Sequence, residues 1–123
     1  MSSLNRPLSG DAMLFDLAKE IDAARAAEPA AQTRRTARTL LKEGPLRVTL
    51  ILVHAGGEIA EHTAPGPITI QVLRGSIRLR VAGTEQRIEE GQIASLAGGV
   101  HHSVAADEEA AFLLTVVQPQ RSD

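Results

Sequence analysis

From Asp11 to Ala27 the apolar residues Leu14, Leu17, Ala18, Ile21 and Ala24 recur at helical spacing, while Asp16, Lys19, Glu20 and Asp22 take the other faces. The spacing predicts an amphipathic N-terminal helix, closed by Pro29. Its apolar stripe is narrow, which suits a helix docked on a larger layer better than a partner-binding helix. The stretch 30–38 is small, polar and rich in arginine, and reads as a connection into a first strand near Thr36 to Leu41. After Glu43-Gly44-Pro45 the pattern changes. Leu46 to Val53 is a nearly continuous run of Leu, Val, Thr and Ile, and strand-like segments follow at Ile68 to Leu73, Ile77 to Val81, Thr84 to Ile88, Ile93 to Leu96, His102 to Ala105 and Ala111 to Val117. Arg74-Gly75, Ala82-Gly83 and Glu89-Glu90-Gly91 supply turns between them. About seven or eight strands with no helix between them predict an all-β barrel or sandwich. The expected division is an arm and helix over 1–29, packed on a β-barrel over 30–123, within one globular domain.

Alternation assigns faces within the strands. If Ile77, Leu79 and Val81 point inward, Arg78 and Arg80 point outward. Arg34, Arg35 and Arg38 form a short basic run, for which a solvated face is expected ahead of an anion patch.

Composition narrows the function classes. A chain of 123 residues builds one core. Only Phe15 and Phe112 are aromatic, so Leu, Ile, Val and Ala must fill the interior. With no aromatic platform for bases and a net charge of -2, nucleic acid is not an expected partner. There is no apolar run of bilayer-spanning length, so no membrane partner is expected either. The first ten residues carry no secretory pattern, and the expected location is cytoplasmic. The absence of cysteine leaves His and carboxylate as the strong metal ligands. Ser95 and Ser103 belong to no Ser-His-acid pattern, and no glycine loop precedes a helix to cradle phosphate.

Two spacings carry more information. Gly56 is followed after five residues by His62, and Gly75 comes after the next strand; Gly91 is followed after five residues by Ala97, then by Gly99 and His102. This pair of motifs resembles the cupin family. The resemblance implies that the strands form a double-stranded β-helix, or jelly-roll barrel, behind the N-terminal amphipathic helix, with a pocket in which three histidines and a glutamate converge. Ala97 stands where the family usually has proline, and Ala106 where it often has asparagine. At the ligand positions, His62 and His102 remain, while Ala64 and Ile68 replace the second histidine and the glutamate. The candidate ligand-binding residues are therefore His62, His102, Ala64 and Ile68, and the candidate metal ligands are His62 and His102, toward a divalent transition metal (Fe, Mn, Ni or Zn).

A third ligand would have to come from outside the family pattern. Glu61 and His101 adjoin the two histidines and on a strand would point the other way; His54 lies at a strand end, and Gln71 has the wrong parity. Pro65-Gly66-Pro67 reads as a structural turn, and Ala97-Gly98-Gly99 as either a close backbone approach or a mobile rim. The expected function is a stand-alone barrel that binds a small molecule in an apolar pocket, with an incomplete metal site. The alternative is a metal-dependent enzyme of dioxygenase or isomerase type that uses His62, His102 and a non-standard ligand. A third reading is a structural barrel with no ligand. A homodimer is expected from the family and from the prevalence of two-fold assemblies.

Overall fold

A computed structural model of the protein describes residues 6–27 and 33–118. It contains one helix, α1 (Leu17–Ala26), and nine strands among the described residues: β1 (Arg35–Glu43), β2 (Leu46–Val53), β3 (Glu58–His62), β4 (Ile68–Arg74), β5 (Ser76–Val81), β6 (Thr84–Glu89), β7 (Ile93–Leu96), β8 (His102–Ala105) and β9 (Ala110–Val117). They form two antiparallel sheets, ordered β1-β2-β9-β4-β7 and β3-β8-β5-β6. The all-β expectation holds, with α1 as the single helix among the described residues. The strand missing from the sequence pattern is β3, an edge strand whose residues are exposed except for the half-buried Ile59.

The larger sheet is covered on both faces, which explains the unbroken apolar run in β2. Ile51 and Val53 face the second sheet, together with Ile68, Ile70, Val72, Ile77, Leu79, Val104 and Phe112. Leu50 and Leu52 face the other way and join Leu40, Ala111 and two residues of α1, Ile21 and Ala24. A strand buried on both faces has no polar side to alternate with. Phe112 is the aromatic residue of the inter-sheet core, and branched aliphatics fill the rest. On the smaller sheet, Ile77 and Leu79 are buried as expected, and Arg78 and Arg80 point out to ion pairs with Glu85.

The helix begins later than its spacing predicts, at Leu17 rather than Asp11. Residues 6–10 hydrogen-bond along the edge strand β1: Arg6 Nη1 donates to the Thr39 carbonyl (2.8 Å), Lys42 N–H to the Leu8 carbonyl (2.7 Å) and Gly10 N–H to the Glu43 carboxylate (3.1 Å). This arm follows the sheet edge, and the chain turns into the helix only at Asp16, whose side chain accepts from Lys19 N–H as an N-cap. Leu14, assigned to the apolar stripe, is consequently 97% exposed, whereas Ile21 and Ala24 are buried. Ala18, also placed on the stripe, is exposed. Pro29, the expected stop, lies outside the described residues.

Two ion pairs fasten α1 to its own barrel. Glu20 pairs with Arg38 of β1, so Arg38 is not on a solvated face as the basic run suggested. Arg25 donates to Glu109 through Nε (2.9 Å) and Nη2 (2.6 Å), and this bonded carboxylate raises the guanidinium pKa above its ordinary value. No helix among the described residues is long and apolar enough to cross a membrane.

Candidate functional site

β1 and β3 are edge strands of different sheets, and the Glu58 N–H···O Thr33 bond (3.3 Å) ties their starts together. Arg34 enters β1 with φ 55°, a left-handed conformation that is costly for a residue with a Cβ. Two contacts hold it. The Arg34 carbonyl accepts from His54 N–H (2.8 Å), and it passes so close to Gly57 that a Cβ there would lie 2.7 Å from the carbonyl oxygen. The next residue, Arg35, pairs with Val53.

Between the sheets lies a cavity of about 230 Å³. Ile51, Ile59, Ile70, Val104, Phe112 and Leu114 form most of its wall, and Arg35, His62 and His102 are its polar members. His62 and His102 are direct cross-strand partners on β3 and β8. Their ring centroids are 4.3 Å apart, with the planes tilted by 56°. His102 is 3% exposed, whereas His62 is exposed, so one ring is sunk in the wall and the other reaches solvent.

Backbone carbonyls orient both rings in the same way. His62 Nδ1 lies 2.9 Å from the Ala60 oxygen, and His102 Nδ1 lies 3.0 Å from the Val100 oxygen. A carbonyl can only accept, so each Nδ1 carries the proton it donates, and each Nε2 is left outside that bond. Among the described residues neither Nε2 has a hydrogen-bond partner. Two Nε2 atoms are therefore left without a protein partner at a largely apolar surface.

The remaining candidates are placed elsewhere. Ala64 and Ile68 pack against the inter-sheet core but do not line this cavity; Ile70, two residues along β4, lines it instead. Glu61 and His101 do point away from the pair, as their adjacency predicts, and meet each other at the surface with Nδ1···Oε2 at 3.7 Å. His54 does not line the cavity, although its Nε2 is buried without a partner. Gln71 does not reach the cavity either. At Gly98 the close backbone approach is realised, since a Cβ there would lie 3.0 Å from Gly66 Cα. The adjacent Gly99 N–H donates to the Ala64 carbonyl (2.8 Å), fastening this turn to the Pro65-Gly66-Pro67 turn.

Arg35 is the site residue that sequence reasoning missed, having grouped it with a solvated basic run. Its parity was the available signal: Arg38 and Leu40 face α1, and Arg35 and Ala37 fall on the opposite, cavity-facing side of β1. A larger groove of about 570 Å³, edged by Glu89, Glu90, Asp107, Glu108 and Glu109, shares no residue with the histidine cavity.

As a resident-metal site the donor set is incomplete. The Nδ1-to-carbonyl arrangement would suit a ligating imidazole. However, a firmly held ion takes three or more protein donors, and no group of three His, Cys, Asp or Glu side chains comes together among the described residues. Ala64 and Ile68 offer no donor atoms on their side chains, and the cavity lining includes a cation, Arg35, and no carboxylate.

Comparison with known proteins agrees with this architecture. The family model of the cupin domain matches residues 49–117. A conserved Streptococcus pyogenes protein of unknown function superposes with a TM-score of 0.73 at 27% identity, covering 94% of this chain and 95% of that one. A cupin superfamily protein from Desulfitobacterium hafniense gives 0.69 at 14% identity over 78% of this chain and 87% of its own. An RmlC-like cupin from Shewanella frigidimarina gives 0.68 at 15%, over 79% and 88%. No functionally curated protein matches the sequence significantly. The matched segment spans β2 to β9 and carries both motif histidines on adjacent strands of the smaller sheet, and on this ground the chain belongs to the cupin family.

Proposed function

We propose that the chain is a small-molecule-binding cupin whose ligand occupies the cavity between the sheets, with an apolar body against Ile59, Ile70, Phe112 and Leu114 and a hydrogen-bond donor aimed at the imidazoles. The observation that carries this reading is the shared orientation of His62 and His102. Both Nδ1 atoms are held by backbone carbonyls, which leaves two Nε2 atoms without a protein partner beside an apolar wall. Few polar groups in an apolar concavity is the usual composition of a ligand site, because burial supplies affinity and the polar groups fix orientation. The volume limits the ligand. About 230 Å³ equals roughly eight waters at ~30 Å³ each, room for a small organic molecule but not for a nucleotide.

Benzyl alcohol, a neutral ring carrying one donor, is a suitable first probe. Titrated into ¹⁵N-labelled protein, it is expected to bind in the millimolar range, as its few atoms allow, and to shift amide signals of β1, β3, β4 and β8. Ala37 lines the cavity, and Ala37→Leu, which adds side-chain volume there, should abolish those shifts. No shift at any cavity strand would overturn the reading. Near-stoichiometric Fe, Mn, Ni or Zn in untagged protein, lost in both His62→Ala and His102→Ala, would favour the metal-dependent alternative.

A further inference from the structure

The cavity carries one full charge. Arg35 lines it alongside the two imidazoles, and no carboxylate belongs to its wall. Among the described residues Arg35 forms no ion pair, in contrast to Arg25, Arg38, Arg78, Arg80 and Arg87. The side chain is only partly exposed and stands on the cavity side of its strand. An arginine that lines a largely apolar cavity with no carboxylate in its wall offers an anion a planar fork of charged donors. The backbone around it is also unusually constrained. Arg34 is left-handed, its carbonyl accepts from His54 N–H, and the lack of a Cβ on Gly57 permits that carbonyl's close approach.

We infer that the ligand of this cavity is a small organic acid, its carboxylate held by the Arg35 guanidinium and its donor group directed to Nε2 of His62 or His102. This rests on the proposed ligand site and adds the chemical class of its occupant. Each group then has one task. Arg35 supplies five N–H donors and no acceptor; an imidazole whose Nδ1–H is bound to a carbonyl accepts at Nε2 in its neutral form. A carboxylate cannot be bound by the imidazole lone pairs, and a hydroxyl hydrogen cannot be bound by the guanidinium. A ligand bearing both satisfies the whole polar set.

Mandelate and mandelamide separate the two inferences, because they share the ring and the hydroxyl and differ in the charged group. Calorimetry on the full chain is expected to show mandelate binding about tenfold or more tighter than mandelamide, the usual advantage of a charge-assisted hydrogen bond. Arg35→Gln should bring mandelate down to the level of mandelamide. Arg35→Met serves as a second variant, and an unchanged amide spectrum away from β1 shows that each is folded. Equal binding of the two probes, or a mandelate preference that survives in both variants, would overturn the assignment of an acid. If benzyl alcohol and mandelamide still shift the cavity strands in that event, the ligand site stands and only its chemistry is wrong. If no probe shifts those strands, both inferences fall.

Discussion

His62 and His102 face each other across β3 and β8, each with Nδ1 on a backbone carbonyl, yet the two side chains differ sharply in surroundings. His102 is 3% exposed and its Nδ1–H satisfies the Val100 carbonyl, so removing the ring opens a gap and leaves that carbonyl without its donor. His102→Ala should therefore cost about 2 kcal/mol of stability in urea unfolding. His62 is exposed, and His62→Ala should stay within about 0.5 kcal/mol. An equal loss in both variants would mean that the rings form a packing unit, and it would remove the argument that His62 is free to meet a ligand. Both histidines were legible in the sequence through their spacing from Gly56 and Gly91. Arg35 was not. A basic run gives no direction for its members, and three neighbouring arginines take three fates here: Arg34 exposed, Arg35 in the cavity wall, Arg38 bound to Glu20.

Elements were readable where a buried face imposes a period. β2 matches its apolar run from Leu46 to Val53, and β4 begins at Ile68 as its pattern requires. β3 escaped because an exposed edge strand with Glu58 and Glu61 has no apolar face to alternate. The helix shows the opposite failure. Helical spacing extended to Leu14, but residues 6–10 are hydrogen-bonded to the edge of β1, and the helix is capped only at Asp16. Two substitutions test this boundary by thermal or urea denaturation. Ile21→Ala removes a buried side chain from the cluster between α1 and the larger sheet and should cost about 2 to 3 kcal/mol. Leu14→Ala removes a side chain that touches little and should cost less than about 0.5 kcal/mol. Comparable losses would place Leu14 on the docked face and move the helix start back toward Asp11.

On the scale of the whole molecule, the cavity exists because two sheets with aliphatic inner faces meet and the sole aromatic of that core, Phe112, forms part of the cavity wall. Its position between β1 and β3 depends on strands far apart in sequence, which is why motif spacing could place the histidines but could not name the wall around them. Ala64 and Ile68 illustrate this: each stands at a family ligand position, and each packs into the core without lining the cavity. The barrel also offers a competing apolar surface, a groove on the larger sheet edged by Pro67, Leu96, Ala97 and Val117. The most direct measurement is therefore where a bound probe sits. With methyl-labelled protein and benzyl alcohol at millimolar concentration, intermolecular NOEs should run from the ring protons to Ile59, Ile70, Val104 and Leu114. NOEs confined to Leu96 and Val117 would put the probe on the outer groove and contradict a ligand site at His62 and His102.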